Sequence, residues 1–187
     1  MIFKNLTALC RQRKRIWMYG DPEGVQWVSE GNAMYPLHGM PGMTGQVLAR
    51  VFDVPEKDLG KYSIKQEETL PAMFDYGDAA AEAQLRPEPF IFKRYDALLC
   101  PVQTSRGLMF YDPELLKPLR DVQETLNLYE RATPQGTVYF AAKAGFLLQA
   151  IILPKKVDNV LLLSELQGIT QALRETVEGA RDEEAGG

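Results

Sequence analysis

The same order of secondary structure is predicted twice along this chain, and it constrains the fold more than any other feature. Each copy has a helix, a strand, a turn of the form x-Pro-x-Gly, and two further strands, the last of which ends at a proline. The turns lie at residues 21–24 and 133–136, and the closing prolines are Pro36 and Pro154. Duplication is the simplest explanation, with chance similarity of two helix-and-strand segments as the alternative.

These patterns predict an α+β protein of two helix-plus-antiparallel-meander units. The first unit spans residues 1–66 and adds an edge strand and a short helix that Thr44 caps. The second unit spans residues 90–157. Between them, residues 67–88 hold six acidic residues and one basic residue. We expect the segment 67–89 to be a solvated acidic connector or a mobile insertion.

A C-terminal amphipathic helix is predicted over residues 158–180, where apolar residues recur at spacings of three and four. Such helices commonly dock on their own domain, but a heptad-like seam also suits self-association. The candidate residues for self-association are Leu162, Leu166, Ile169 and Leu173.

Residues 107–157 resemble the βαβββ element of DNA sliding clamps. The resemblance rests on residues 108–119, a strand running into the helical pattern Leu-Leu-x-x-Leu, and on residues 147–154, a strand that closes on proline. A duplicate at residues 1–37 lacks an obvious leading strand. In that family, two such elements pack as one subdomain, and several subdomains close a ring around duplex DNA. The resemblance therefore implies a clamp-like subdomain that needs self-assembly to form a ring.

Only the first helix supplies a set of cations suited to phosphate groups, because nucleic-acid binding requires several cations facing the backbone. The chain as a whole has 21 basic and 25 acidic residues, which gives no general attraction to nucleic acid. The alternative is that these cations complement the helix dipole and are simply solvated. The candidate nucleic-acid-binding residues are Lys4, Arg11, Arg13, Lys14 and Arg15.

The first three predicted strands also carry four large aromatic residues: Trp17, Tyr19, Trp27 and Tyr35. Exposed rings beside cations form stacking platforms for single-stranded bases. Packing within the core or across strands is the commoner role of such residues.

Catalytic signatures are weak. Nucleophilic catalysis needs a base, and the one histidine, His38, lies in a Gly- and Met-rich loop. Cys10 and Cys100 are its candidate nucleophiles, but both fall in apolar patterns typical of buried cysteine. No glycine-rich phosphate loop occurs.

Metal binding has little support in the sequence either. The carboxylates Asp75, Asp78 and Glu82 are loosely spaced, so we interpret them as solvated acids and predict no metal site and no cofactor. Together with the weak catalytic signatures, this pattern predicts that the protein is not an enzyme.

We therefore predict a non-catalytic binding or assembly module, and three hypotheses stay open. The first is a DNA-associated accessory protein that binds duplex DNA. The second is a protein-interaction or structural subunit that binds itself or another protein. The third is a small hydrolase that uses His38.

Two cysteines 90 positions apart form no disulfide framework, the N-terminus does not have the pattern of a secretory signal, and no apolar run is long enough to span a membrane. We expect a cytoplasmic protein without membrane contact.

Overall fold

The computed structural model describes residues 1–77, 82–94, 97–157 and 159–185, and it has the predicted α+β class. The chain divides into two compact units. Unit 1 consists of Met1–Leu85 and Pro113–Pro154, and unit 2 consists of Arg86–Asp112 and Lys155–Gly187. None of the helices in the described residues combines the length and the apolar character that a membrane crossing requires.

Helices separate groups of consecutive strands along the chain. The helices are α1 (Phe3–Arg13), α2 (Gly45–Val51) and α3 (Val160–Ala185), with 3-10 helices at Glu56–Lys61 and Pro113–Thr125. The strands are β1 (Arg15–Gly20), β2 (Gln26–Ser29), β3 (Ala33–Pro36), β4 (Ser63–Glu67), β5 (Ala83–Leu85), β6 (Phe92–Arg94), β7 (Ala97–Thr104), β8 (Gly107–Tyr111), β9 (Leu126–Ala132), β10 (Val138–Ala144) and β11 (Leu147–Ile152).

Unit 1 is built on one eight-stranded sheet in the order β4-β1-β2-β3-β11-β10-β9-β5. Two antiparallel meanders, β1-β2-β3 and β9-β10-β11, meet where β3 pairs with β11. The edge strand β4 runs parallel to β1, and β5 runs antiparallel to β9 at the other edge. The edge strand predicted in the first unit is confirmed.

The first hairpin of each meander has the same strand register. Trp17 pairs with Ser29 in the first, and Tyr129 pairs with Ala141 in the second. Both residue numbers of the second pair exceed those of the first by 112, since 129 − 17 and 141 − 29 are equal. The paired strands of the two hairpins therefore correspond residue for residue in their pairing.

The turns of these two hairpins also share their hydrogen bonds. Gly24 adopts a φ of 83°, and its N–H donates to the carbonyl of Asp21 at 3.1 Å, while Val25 N–H donates to the Asp21 carboxylate at 2.8 Å. Gly136, with a φ of 84°, donates in the same way to the carbonyl of Thr133 at 2.7 Å. The hydroxyl of Thr133 takes the place of the Asp21 carboxylate and accepts from Thr137 N–H at 3.1 Å. Glycine at the fourth position supplies the positive φ that both turns require.

Side chains alternate between the two faces of the sheet, as β-strands require. In β1, Ile16 and Met18 are fully buried, whereas Trp17 and Tyr19 on the opposite face are half-buried. The sulfur of Met18 lies close to α2 at Gly45, and the Tyr35 hydroxyl donates to the Leu115 carbonyl at 2.7 Å. The helices thus cover the face that bears Met18 and Tyr35.

The opposite face is partly covered by residues 70–77, which we call the strap. Leu70, Phe74 and Tyr76 of the strap pack against a cluster that includes Trp27 and Tyr139. These contacts contradict the expectation that 67–89 is a solvated connector, as far as its described residues show. Aromatic burial outweighs the acidic composition here. Residues 78–81, including the candidate ligand Asp78, lie outside the described residues.

Unit 2 combines the antiparallel sheet β6-β7-β8 with α3. Leu166 of α3 packs against Leu99 and Phe110 of the sheet, and Arg174 forms an ion pair with Glu88. The C-terminal helix is confirmed and begins at Val160; Asp158, the first residue of the predicted helix, lies outside the described residues.

The predicted second unit, residues 90–157, does not correspond to either observed unit. Its residues 90–112 belong to unit 2 and its residues 113–154 to unit 1. The segment that resembles the leading strand of a clamp element is β8, which pairs with β7 through a short turn at Gly107. Local hairpin pairing therefore places this strand in the small sheet instead of the large one.

Candidate functional site

The N-terminal segment of unit 1 has an unusual charge distribution. The first 20 residues hold five of the 21 Lys and Arg residues and none of the 25 Asp and Glu residues. These residues form α1 and β1, so a helix and the strand after it carry cations with no acidic residue among them. Like charges that are not neutralised locally create a positive surface potential that attracts anions.

Four of the five predicted cations are exposed: Lys4, Arg11, Lys14 and Arg15. Within the described residues, no ion pair links any of these four to an acid. Some other cations of unit 1 do have acidic partners, as in the pairs Arg50–Glu56 and Lys117–Glu114. Lys4, Arg11, Lys14 and Arg15 are therefore available to an external anion.

The fifth cation, Arg13, has an internal role. Its Nε lies 3.8 Å from Oε2 of the fully buried Glu30. Oε1 of Glu30 accepts hydrogen bonds from the N–H groups of Asn32 and Ala33, both at 2.8 Å. Burial raises the pKa of Glu30, although these hydrogen bonds and Arg13 act in the opposite direction. Arg13 thus supports the β2–β3 turn, and we remove it from the candidate phosphate contacts.

A second group of cations surrounds Trp17. The guanidinium carbon of Arg15 lies 5.3 Å from the centroid of the Trp17 ring, and Lys65 Nζ lies 4.8 Å from it. The indole N–H donates to Ser63 Oγ at 3.0 Å, which fixes the ring. Cation–π contacts of this kind hold the charged groups in place without neutralising them. Lys65 was missed by the sequence analysis because it reaches Trp17 only through the parallel pairing of β4 with β1.

A cavity of about 140 Å³ adjoins Trp17 on the strap side of the sheet. Its floor is a row of residues in register across four strands: Trp17, Ser29, Met34 and Ile151. The strap contributes Pro71, Met73 and Phe74, and the β2–β3 turn contributes Gly31 and Asn32; Tyr19, Ala33 and Leu153 complete the lining. The cavity is almost entirely apolar.

The four aromatic residues predicted as a stacking set have two different roles. Trp17 and Tyr19 are half-buried and line the cavity. Trp27 and Tyr35 are buried in the core, where the Trp27 indole donates to Asp21 Oδ2 at 3.3 Å. A continuous stacking platform of four rings is therefore absent from this part of the chain.

The hydrolase hypothesis has no geometric support. His38 is exposed, and no hydrogen bond or ion pair connects it to another described residue. Cys10 and Cys100 are both buried free cysteines. Burial raises the pKa of each thiol, with the charge of Glu30 adding to the effect at Cys10. Such thiols are poor nucleophiles because the thiolate is the reactive form.

The carboxylates considered as metal ligands have other partners. Asp75 Oδ1 accepts from Gly77 N–H at 2.8 Å, and Glu82 binds Arg131 and Lys143. Among the residues that the structure describes, no group of three His, Cys, Asp or Glu side chains is arranged to hold a metal ion. Asp78 lies outside those residues.

The four residues predicted to mediate self-association also divide into two pairs. Leu162 is half-buried and Leu166 is buried, and both pack on the unit 2 core. Ile169 and Leu173 are 47% and 36% exposed. Leu166 is therefore a core residue of unit 2, because the 162–166 side of the helix packs on its own sheet, and Ile169 and Leu173 are the exposed members of the predicted set.

Comparison of the chain with protein-family models, curated proteins and solved structures finds no match in any of the three. The function has to be argued from the sites described above.

Proposed function

We propose that unit 1 is a non-catalytic nucleic-acid-binding module that contacts phosphates through Lys4, Arg11, Lys14 and Arg15. The observation that carries this proposal is the acid-free N-terminal segment, whose exposed cations have no acidic partner within the described chain. Binding of these cations to phosphates releases condensed counterions, and that release drives association.

Duplex DNA is the partner that we propose, on a clamp-like assembly of several copies. The proposal is supported by two meanders with matching hairpins in one sheet and by helices packed on one face of it. Asn5 of α1 donates to the carbonyl of Lys117 at 2.8 Å, so α1 lies beside the Pro113–Thr125 helix. One copy is too small to enclose a duplex, so a ring requires assembly. Internal duplication is part of the same proposal.

The test is a titration of a fluorescent 20-base-pair duplex at several salt concentrations. If four phosphates are contacted, the logarithm of the association constant should fall with the logarithm of salt concentration with a slope of roughly −3 to −4. The variant K4A/R11A/K14A/R15A should bind at least about tenfold more weakly at low salt.

The matched control R50A/K57A/K61A/R120A removes four exposed cations of unit 1 and changes the net charge equally. We expect its affinity to stay within about twofold of the wild type. Equal losses in the two variants, or binding that does not depend on salt, would contradict the proposal.

A second candidate function is self-assembly through α3. It is supported by the exposure of Ile169 and Leu173, one turn apart on α3. Light scattering should find a defined oligomer that I169D/L173D dissociates and that the equally charged control Q167D/Q171D preserves. A wild-type monomer at every concentration would exclude it. Leu166 is unsuited to this test because its substitution would disrupt the core of unit 2.

We further propose that the protein acts in the cytoplasm without a cofactor. Both cysteines are free and buried, which suits a reducing compartment. Neither statement contributes to the nucleic-acid proposal.

A further inference from the structure

We propose that the cavity between the strap and the sheet of unit 1 binds a small aryl carboxylate. The aromatic body would occupy the cavity, and the carboxylate would lie at the rim, between Arg15 and Lys65. This site shares Arg15 of β1 with the proposed phosphate contacts but has no other residue in common with them.

The size and lining of the cavity favour an aromatic body. A volume of about 140 Å³ is close to that of protein cavities that hold a benzene ring. Tyr19 and Phe74 offer ring edges and faces, and Met34 and Met73 offer polarisable sulfur, which contacts aromatic rings favourably. The scarcity of polar groups in the lining disfavours ligands whose body needs several hydrogen bonds.

The access route follows from the strap. Met73 lines the cavity and is 52% exposed, so it borders both the cavity and the solvent. We place the entrance for the ligand beside Met73.

The charges at the rim favour a single anionic group. Gly31 lines the cavity at a φ of 106°, and a Cβ on it would lie 2.5 Å from Arg15 Nη1. The glycine thus lets the guanidinium lie directly against the cavity wall. Lys65 Nζ lies 4.8 Å from the centroid of the Trp17 ring, which itself lines the cavity. Arginine matches the two oxygens of a carboxylate with its planar donors.

A negative charge lies farther along β1. Tyr19 lines the cavity two residues beyond Trp17, and its partner across the strand pair is the exposed acid Glu67. Burial, followed by the charge of Glu67, raises the pKa of Tyr19. A carboxylate would be repelled there, which orients the ligand with its anionic group toward Arg15 and Lys65.

The experiment uses the full chain labelled with ¹³C at its methionine methyl groups and titrated with 3-phenylpropionate. Ring currents of a bound aryl group should shift the Met34 and Met73 methyl signals, which line the cavity. Met109 in β8 of unit 2 is the internal control and should not shift. Saturable shifts at Met34 and Met73 alone support the proposal, and no shift at either overturns it.

The charge requirement is tested in the same spectra. The neutral analogue 3-phenylpropan-1-ol should bind about tenfold more weakly, and R15Q and K65Q should each weaken binding of the acid about threefold to tenfold. M73D adds an anion at an exposed wall position and should abolish binding, whereas K57Q should have no effect. If the alcohol binds as tightly as the acid, or if K57Q weakens binding as much as K65Q does, the assigned anion site is wrong.

Discussion

The β1–β2 and β9–β10 hairpins have the same register and the same turn, but they place their cations in different environments. On the first hairpin, Arg15 of β1 and Lys65 of the neighbouring strand β4 lie over Trp17 and are exposed. In the second, the residue equivalent to Trp17 is Tyr129, and the cation over its ring, Lys143, is buried. A shared backbone therefore supports two different uses of a cation beside an aromatic ring.

An internal acid accounts for the difference. The side chain of Glu82 is only 5% exposed. It binds Lys143 Nζ at 2.9 Å and also forms an ion pair with Arg131. Arg131 further donates to the strap carbonyls of Asp75 at 2.6 Å and Gly77 at 2.7 Å. Lys143 and Arg131 of the second hairpin thus bind groups within the protein, and Arg131 holds the strap. The first hairpin has no such acid among the described residues, and its cations remain available for an external anion.

Replacement of Glu82 by glutamine should produce the largest effect. It leaves two buried cations, Lys143 and Arg131, without their shared carboxylate, and breaking a buried pair in this way costs about 3–5 kcal/mol. Urea unfolding of E82Q against the wild type measures the loss. The exposed control E124Q should lie within about 0.5 kcal/mol of the wild type. A loss in E82Q no larger than that of E124Q would mean that the cluster does not hold the strap.

Acid should weaken the same cluster. Burial alone raises the pKa of Glu82, but the hydrogen bonds and charges of Lys143 and Arg131 outweigh it and lower the pKa below 4.5. A lowered folded-state pKa stabilises the fold above the unfolded pKa, and this stability is lost as pH falls through the folded pKa. The difference in unfolding free energy between wild type and E82Q should therefore be full at pH 7 and should shrink below pH 4.5.

Glu30 in the first meander is the contrasting case for this pH measurement. Its pKa is raised, chiefly by burial, so the folded state binds a proton more readily than the unfolded state does. Its contribution to stability should increase as pH falls through its folded pKa toward 4.5. The difference in unfolding free energy between wild type and E30Q should thus change with pH in one direction. The corresponding difference between wild type and E82Q should change in the opposite direction. The same direction for both would contradict the assigned roles.

Local patterns were enough to predict much of the fold. Thr44 was predicted as an N-cap, and its Oγ1 accepts from Val47 N–H at 3.3 Å. The turn at residues 21–24 and the helix that begins at Val160 were also predicted from short-range signals. In each case the residues that determine the structure lie within one or two turns of each other, so a single sequence contains the necessary information.

The candidate site was predicted only in part, because its remaining parts depend on distant pairings. The candidate cations all lie within the first 15 residues of the chain and were found. Lys65 joins Trp17 only through a parallel strand pair, and Glu82 meets Arg131 across 49 positions of sequence. The acidic composition of 67–88 concealed the burial of Phe74 and Tyr76, because the acids suggested solvation. Partners at long range are specified by the three-dimensional fold and leave no local pattern.

Removal of the exposed cations beside Trp17 should have the smallest effect on stability. R15Q and K65Q each lose one contact with the Trp17 ring, which at an exposed site is worth about 0.5–1 kcal/mol, and no buried charge is left unpaired. Thermal and urea unfolding should therefore give both variants a free energy of unfolding within about 1 kcal/mol of the wild type. That value should be well above the free energy of unfolding of E82Q. If either variant were as unstable as E82Q, Arg15 or Lys65 would be a structural residue like Lys143, and the distinction between the two hairpins would fail. A small loss of stability together with a clear loss of anion affinity is the combination that assigns these two cations to binding.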